Sequence, residues 1–251
     1  MKRRLTKNFM FSLGGVVFLL LVWLISYFAV GNSYVLPSFW EAFGAAGSLF
    51  TEGNFYLSLC NTLLRTLCAF LVSFLLGAGL ALASCLIAPV RAFFAPFFSV
   101  VRSVPTLAVM LMILLWTSPS FAPVVVTVLV LLPTVYAEAL ASFEGVKEEY
   151  GGFLAAYAVT GAKKIFVVYL GGALPSLALE GGSALSLGLK ITVSAEVLAA
   201  TYLSLGGMMQ ESQIYLEIPR LFALTVVCVL IGFLLEGGCY FVRKAAKRRE
   251  A

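Results

Sequence analysis

The chain has 251 residues, of which 61% are hydrophobic and 12% are charged, and its formal net charge is +5. A mean hydropathy of +1.02 leaves too little polar surface for a soluble protein of this length. The sequence contains no His and no Asp, which excludes a metal centre and a histidine-based acid/base pair. Its acidic residues are all Glu, and we expect most of them in loops.

Six apolar runs along the chain are long enough to cross a hydrocarbon core of ~30 Å. In chain order they cover residues 9–30, 62–87, 92–117, 121–142, 175–200 and 220–242. The sequence therefore predicts an all-α membrane protein with six transmembrane helices.

Basic residues are concentrated before the first run, after the last one, and in the second and fourth connections. Thirteen of the seventeen Lys and Arg residues lie there, and Arg220 alone lies in one of the other connections. Because cytoplasmic loops carry the excess of basic residues, we expect both termini in the cytoplasm. Residues 244–251 are then a basic cytoplasmic tail.

The first predicted unit, residues 1–55, combines a transmembrane helix with an outer segment. A basic stretch before an apolar run also occurs in secretory signals, but the run over 9–30 exceeds the ~7–15 apolar residues of a signal peptide. We therefore expect a retained helix. The outer segment contains an amphipathic stretch from Ser38 to Phe50 that is suited to the membrane interface.

The fourth connection, residues 143–174, is the only substantial one predicted on the cytoplasmic side, and it is rich in charged residues and glycine. Its pattern predicts short helices on either side of Gly161, followed by Pro175 in the first turn of the fifth span. Such an element suits docking to another protein. The residues alone are also compatible with an interfacial helix that ties two spans together.

The fifth span combines a polar face with a small-residue face. At ~100° per residue, one stripe of ~80° contains Ser183, Ser186, Lys190 and Ser194. The roughly opposite face would let a neighbouring helix approach closely. Its small residues include Gly181, Ala184 and Gly188.

Lys190 lies ~22 Å along this helix from Pro175 and needs a partner or water at membrane depth. Two interpretations remain open, namely a residue that lines a translocation path and a structural ion pair with an unidentified acid. Glu196 stands off the polar stripe, and we expect it to hydrogen-bond a neighbouring helix.

Arg102 raises the same question in the third span, ~15 Å from its predicted inner end at Ala92. Pro105 makes this region irregular, because it removes one amide donor and frees the carbonyl of Val101. Such breaks at membrane depth occur inside protein or beside a cavity. We therefore predict an aqueous path between the third, fourth and fifth spans, with Arg102 and Lys190 as its cationic groups. These cations suit an anionic substrate, and gating by ion pairs is an equally good use of them.

A set of short motifs resembles a known family of transport proteins. Residues 154–166, Leu-Ala-Ala-Tyr-Ala-Val-Thr-Gly-Ala-Lys-Lys-Ile-Phe, and residues 173–177, Ala-Leu-Pro-Ser-Leu, resemble the signature of permease subunits of binding-protein-dependent ABC importers. That signature reads Glu-Ala-Ala, then Gly, then Leu-Pro. Further segments resemble the nitrate/sulfonate/taurine branch of the family, namely residues 35–41, 62–67, 102–106 and 185–198.

The chain departs from this signature at two points. Counting back from Gly161, Ala155 stands where the family has Glu, and Tyr157 replaces its second alanine. The Leu174-Pro175 pair also lies one residue farther from Gly161 than is usual. These departures imply altered docking and a shifted second helix.

The resemblance implies a type I ABC importer permease fold, in which residues 56–243 form the transmembrane domain. It also implies that a groove on a cytoplasmic ATPase receives the coupling segment. The corresponding residues of this chain are Ala155, Ala156, Gly161, Lys163, Lys164 and Pro175. ATP and Mg would belong to that partner and this chain would hold no cofactor, because it has no phosphate-binding loop and no catalytic set.

The resemblance further implies a second permease copy, with a homodimer as the default, an extracytoplasmic solute-binding protein, and a place in the bacterial cytoplasmic membrane. The substrate would be a small organic or inorganic anion, such as a sulfonate, taurine or nitrate, or a vitamin precursor. No nucleic-acid partner is expected, since the net charge suits a basic collar that faces the membrane.

Two other functions remain open. An ion-coupled secondary carrier would use Glu180 and Glu196 to carry protons, although residues 1–125 and 126–251 lack the internal similarity that such carriers commonly show. A non-transporting membrane scaffold would leave the polar stripe of the fifth span without a role.

Cysteine introduced at position 40 or 210 should react with a membrane-impermeant reagent on intact cells, whereas cysteine at position 147 or 247 should react only after permeabilisation. The six-span topology places the first two positions outside and the last two inside. The unsubstituted chain, which has five cysteines of its own, is the control. Labelling of position 147 from outside would contradict this topology.

Overall fold

The computed structural model describes residues 2–32, 35–156, 161 and 164–247, with side chains over 14–15, 17–32, 35–152, 161 and 164–238. All regular structure in this part of the chain is helical. The helices are α1 (Lys2–Val30), α2 (Phe39–Leu49), α3 (Gly53–Leu86), α4 (Ala88–Ser103), α5 (Thr106–Trp116), α6 (Ala122–Ala156), α7 (Lys164–Leu170), α8 (Gly171–Leu198), α9 (Leu205–Ile214) and α10 (Ile218–Lys247). Lys163 and the side chains of Ala155 and Ala156, which the sequence assigns to ATPase coupling, lie outside the described residues.

Four segments are long and apolar enough to cross a membrane. They are α3, Ala122–Gly152 of α6, α7 together with α8, and Ile218–Gly238 of α10. The pair α4 and α5 also qualifies but is sharply bent, and the apolar helix over Val17–Val30 of α1 is shorter. The described chain is thus all-helical with four or five apolar spans, and the count of six stays a prediction.

Residues 92–117, which the sequence predicts as one irregular span, form two helices. α4 ends at Ser103, α5 begins at Thr106, and their axes are bent by 93°. Proline disfavours a helical conformation at the residue before it, and Val104 accordingly has an extended ψ of 130°. The break at Pro105 therefore lies about midway along the predicted span.

Pro175 lies inside a helix rather than in its first turn, which corrects the sequence prediction. α7 is a π-helix, and α8 continues from it directly at Gly171. Proline clashes with the carbonyl four residues earlier in an α-helix, and that carbonyl belongs to Gly171. Gly171 is the first residue of α8, so Pro175 lies about one turn after the end of the π-helix.

Glycine residues set how closely the central helices α3, α6 and α8 approach one another. A Cβ atom built on Gly77 of α3 would lie 3.0 Å from a Val135 methyl group of α6. One built on Gly188 of α8 would lie 2.9 Å from Leu131 Cδ1 of α6. Since protein interiors are close-packed, larger side chains at these two positions would push the helices apart.

Arg220, the basic residue outside the predicted charge pattern, is paired with two carboxylates. Its guanidinium lies 2.7 Å from Glu52 Oε2, just before α3, and 3.1 Å from Glu217 Oε2, just before α10. These acids offset its charge locally. Arg220 therefore adds little net positive charge to this end of the bundle.

Gly77→Leu should lower the thermal midpoint of the purified protein in detergent, because the new side chain would force α3 away from α6. Overpacking of this kind costs about 1–3 kcal/mol. Gly79→Leu is the matched control, since Gly79 is on the same helix with no neighbour within 4 Å. Gel filtration after heating measures the two midpoints, and equal values would contradict the close α3–α6 contact.

Candidate functional site

The carboxylate of Glu196, in the last turn of α8, is fully buried and accepts hydrogen bonds from three groups. Thr62 Oγ1 lies 2.9 Å from Oε2, Arg65 Nη1 lies 3.0 Å from Oε1, and the Gly206 amide nitrogen lies 3.2 Å from Oε2. Thr62 and Arg65 belong to α3, and Gly206 belongs to the first turn of α9. One carboxylate therefore joins three helices.

Arg65 supplies the charge that makes this burial tolerable. Its side chain is 16% exposed and that of Glu196 is 0% exposed, and a buried carboxylate without a cation would be strongly destabilising. Arg65 Nε also donates to the carbonyl of Ser120 at 3.2 Å, which ties in the loop between α5 and α6. The sequence alone does not identify Arg65 as the partner of Glu196. The signal available in the sequence is the position of this arginine inside an apolar run.

The connection between α8 and α9 folds tightly against this carboxylate. A Cβ atom built on Gly206 would lie 2.4 Å from Glu196 Cβ and 2.6 Å from the carbonyl oxygen of Val193. The Leu205 amide donates to Thr62 Oγ1 at 3.0 Å. Position 206 therefore requires glycine, because any side chain would separate α9 from the end of α8.

A second polar region is a cavity of about 420 Å³ between α8, α9 and α10. Its polar lining consists of Ser186, Lys190 and Ser194 from α8 and Thr225 and Glu236 from α10. Three of the four residues of the predicted polar stripe thus share one cavity. Ser183 is exposed on α8 but is not among the lining residues.

The other face of α8 lies against its neighbours in the bundle. Gly181, Ala184 and Gly188 are all buried. A Cβ atom built on Gly181 would lie 3.3 Å from the ring of Phe74 in α3. The helix therefore contacts the core through its small residues and lines the cavity with its polar ones.

Arg102 and Lys190, the two cations of the predicted path, line different clefts. Arg102, at the end of α4, donates to the carbonyl of Pro133 at 2.6 Å and borders clefts between α4 and α6. The cavity that contains Lys190 and the clefts that border Arg102 have no lining residue in common. Thr106, directly after Pro105, lies with Ser194 in a shallow depression between α5 and α8.

Two further carboxyl groups are partly buried in the helical bundle. Glu138 of α6 and Glu180 of α8 each have one buried oxygen without a hydrogen-bond partner among the described residues. Ser142 donates to the other oxygen of Glu180 at 2.6 Å. The expectation that most glutamates lie in loops is wrong for the described chain, in which only Glu52 and Glu217 lie outside helices.

The predicted coupling segment, residues 153–170, covers the end of α6, the connection after it and the whole of α7. Gly161 is exposed and has a φ of +68°, a conformation that L side chains rarely adopt. Lys164 is the first residue of α7. Nearby, Arg91 of α4 forms an ion pair with Glu144 of α6, which fixes α4 to the part of α6 that leads into this segment.

No family model matches the chain. The taurine transport system permease protein TauC of Escherichia coli (strain K12) is 28% identical over 243 residues, which cover 93% of this chain and 87% of that protein.

Two solved structures share the fold. One shows inward-facing conformations of the MetNI methionine ABC transporter, with a TM-score of 0.66 and 15% identity over 74% of this chain and 93% of that chain. The other is an amino acid ABC transporter with histidines, with a TM-score of 0.60 and 19% identity over 76% of this chain and 92% of that chain. The chain is thus similar in sequence to an importer permease and shares its fold with ABC transporters. These findings support the family predicted from the motifs, and the protein is a multi-pass protein of the inner membrane.

Arg65→Met should strongly destabilise the protein, because it leaves the Glu196 carboxylate buried without its cation. Breaking a buried pair in this way costs about 3–5 kcal/mol. Adding Glu196→Met should recover part of the loss, since no uncompensated charge then remains. Arg91→Met, which breaks the exposed pair with Glu144, should cost less than about 1 kcal/mol. Thermal midpoints in detergent give the comparison, and equal losses for the two arginine variants would contradict the role of Arg65.

Proposed function

We propose that the chain is a permease subunit that forms the translocation path of an ABC importer for a small organic anion of the sulfonate type. The observation that carries this proposal is the sequence similarity over 93% of the chain to a permease named for taurine transport. The α8–α10 cavity supports it chemically. Lys190 is exposed there beside Ser186 and Ser194, and an ammonium group with neighbouring hydroxyls suits an anionic solute.

Energy for transport would come from a separate ATPase that binds ATP and Mg. The coupling segment over residues 153–170 is its proposed contact, with Ala155, Ala156, Gly161, Lys163 and Lys164 as the main residues. The geometry of Gly161 supports this role, because a positive φ at an exposed glycine makes a compact turn that can approach a partner closely. The length of α6 adds further support. Its 35 residues exceed the ~20 needed to cross a bilayer, so the end of the helix that leads into the coupling segment can extend beyond the membrane.

The proposed assembly contains two copies of the permease, with both termini in the cytoplasm, and an extracytoplasmic solute-binding protein. The charge count along the sequence supports this orientation, and the pairing of Arg220 with two acids accounts for the exception. In an isolated chain Lys190 and Ser194 are exposed on a membrane helix. Because polar groups facing lipid are costly, a water-filled space beside a second copy would suit them.

An ion-coupled carrier is the second candidate function. The unpartnered carboxylate oxygens of Glu138 and Glu180 favour it, since such groups can bind protons. Glu196 argues against it, because its fixed donors, Arg65 included, leave it poorly suited to release and rebind a proton. Reconstituted vesicles separate the two candidates: importer activity requires ATP and the ATPase, and carrier activity requires only an ion gradient.

Gly161→Val should prevent the permease from retaining its ATPase during co-purification, because valine is strained at a φ of +68°. Strain of this kind costs about 1–3 kcal/mol, and we expect a retention loss of about tenfold or more. Gly145→Val is the matched control, since Gly145 is an exposed glycine in α6 with no neighbour within 4 Å. Full retention and ATP-driven transport by the Gly161 variant would contradict the coupling proposal.

A further inference from the structure

Gly232 lines the cavity between α8 and α10 and contributes no side chain to it. A Cβ atom built on Gly232 of α10 would lie 3.3 Å from Ser186 Oγ of α8, so the two backbones approach closely at this level. Leu189 and Val193 of α8 pack with Leu224 and Val227 of α10 farther toward the α9 end, as expected for antiparallel helices.

Opposite charges flank this point of contact. Lys190 lies one turn beyond Ser186 along α8, and Glu236 lies one turn beyond Gly232 along α10. Because the helices run in opposite directions, the two Cα atoms are separated by about 12 Å along the helix axes, at 1.5 Å per residue. Both side chains nevertheless line the same cavity.

Neither charge has an ionic partner among the side chains that the structure describes. No ion pair of Lys190 or Glu236 occurs among residues 35–152, 161 and 164–238. The remaining walls combine apolar side chains, such as Val229 and Phe233, with a few hydroxyls. A charge at membrane depth needs a partner, and this cavity offers one charge of each sign that the described side chains leave unpaired.

We propose that this cavity binds a small zwitterion, with the acidic group of the solute at Lys190 and its ammonium group at Glu236. The proposal rests on the proposed importer function and adds a second specificity residue to it. A simple anion would pair with Lys190 but would leave the Glu236 carboxylate without a partner. The two negative charges would also repel each other. A zwitterion satisfies both, and the volume of about 420 Å³ is within the usual range for small-molecule sites.

Binding of taurine and propane-1-sulfonate to the purified permease in nanodiscs tests the proposal. The two probes are nearly isosteric and differ in that a methyl group replaces the ammonium. The wild-type protein should bind taurine about tenfold or more tightly than it binds propane-1-sulfonate. Glu236→Gln should weaken taurine alone and remove the preference, whereas Lys190→Met should weaken both probes. Glu211→Gln, a charge change on α9 outside the cavity, should alter neither affinity.

Gly232→Leu provides a second, steric test, because its side chain would fill the space beside Ser186 and should abolish binding of both probes. The proposal is overturned if Glu236→Gln affects the two probes equally, or if wild type binds neither at millimolar concentration. ATP-driven transport by the complete complex tests the importer function separately. Transport without a differential effect of Glu236→Gln would reject the zwitterion site alone, and ATP-independent uptake would reject the importer alone.

Discussion

One end of the bundle depends on the hydrogen bonds and the ion pair of the buried Glu196 carboxylate. A charge leaves water only when hydrogen bonds and an opposite charge replace its hydration. Thr62, Arg65 and the Gly206 amide provide that replacement. Because these donors come from α3 and α9, the ends of three helices are fixed relative to one another. Lys190 is less than two turns before Glu196, so the same contact also positions the cavity residue on α8.

α8 serves two purposes because its two faces differ in chemistry. Gly181, Ala184 and Gly188 allow close contact with α3 and α6, where shape decides the fit. Lys190 and Ser194 are on a face that the described chain leaves exposed. Close packing on one side and open space on the other let a single helix connect the structural core to the candidate binding site.

Much of this arrangement follows from periodicity in the sequence, and the rest depends on contacts between distant segments. The apolar runs and the two faces of α8 are local patterns, which a helical repeat reveals. The choice of Arg65 as the partner of Glu196 depends on how α3 packs against α8, which no local pattern encodes. Likewise, a proline predicts a disturbance at Pro105 and Pro175, but the surrounding backbone decides that one helix breaks by 93° and the other continues after a π-helix.

The glycine contacts between α3, α6 and α8 have a consequence for motion. At Gly77 and Gly188 the side chains of Val135 and Leu131 pack directly against the glycine backbone, which leaves little space for sliding. Closely packed interfaces of this kind move as rigid bodies rather than deform continuously. We therefore expect these three helices to rock as one unit during alternating access, with the hinge at less tightly packed elements such as the α4–α5 bend.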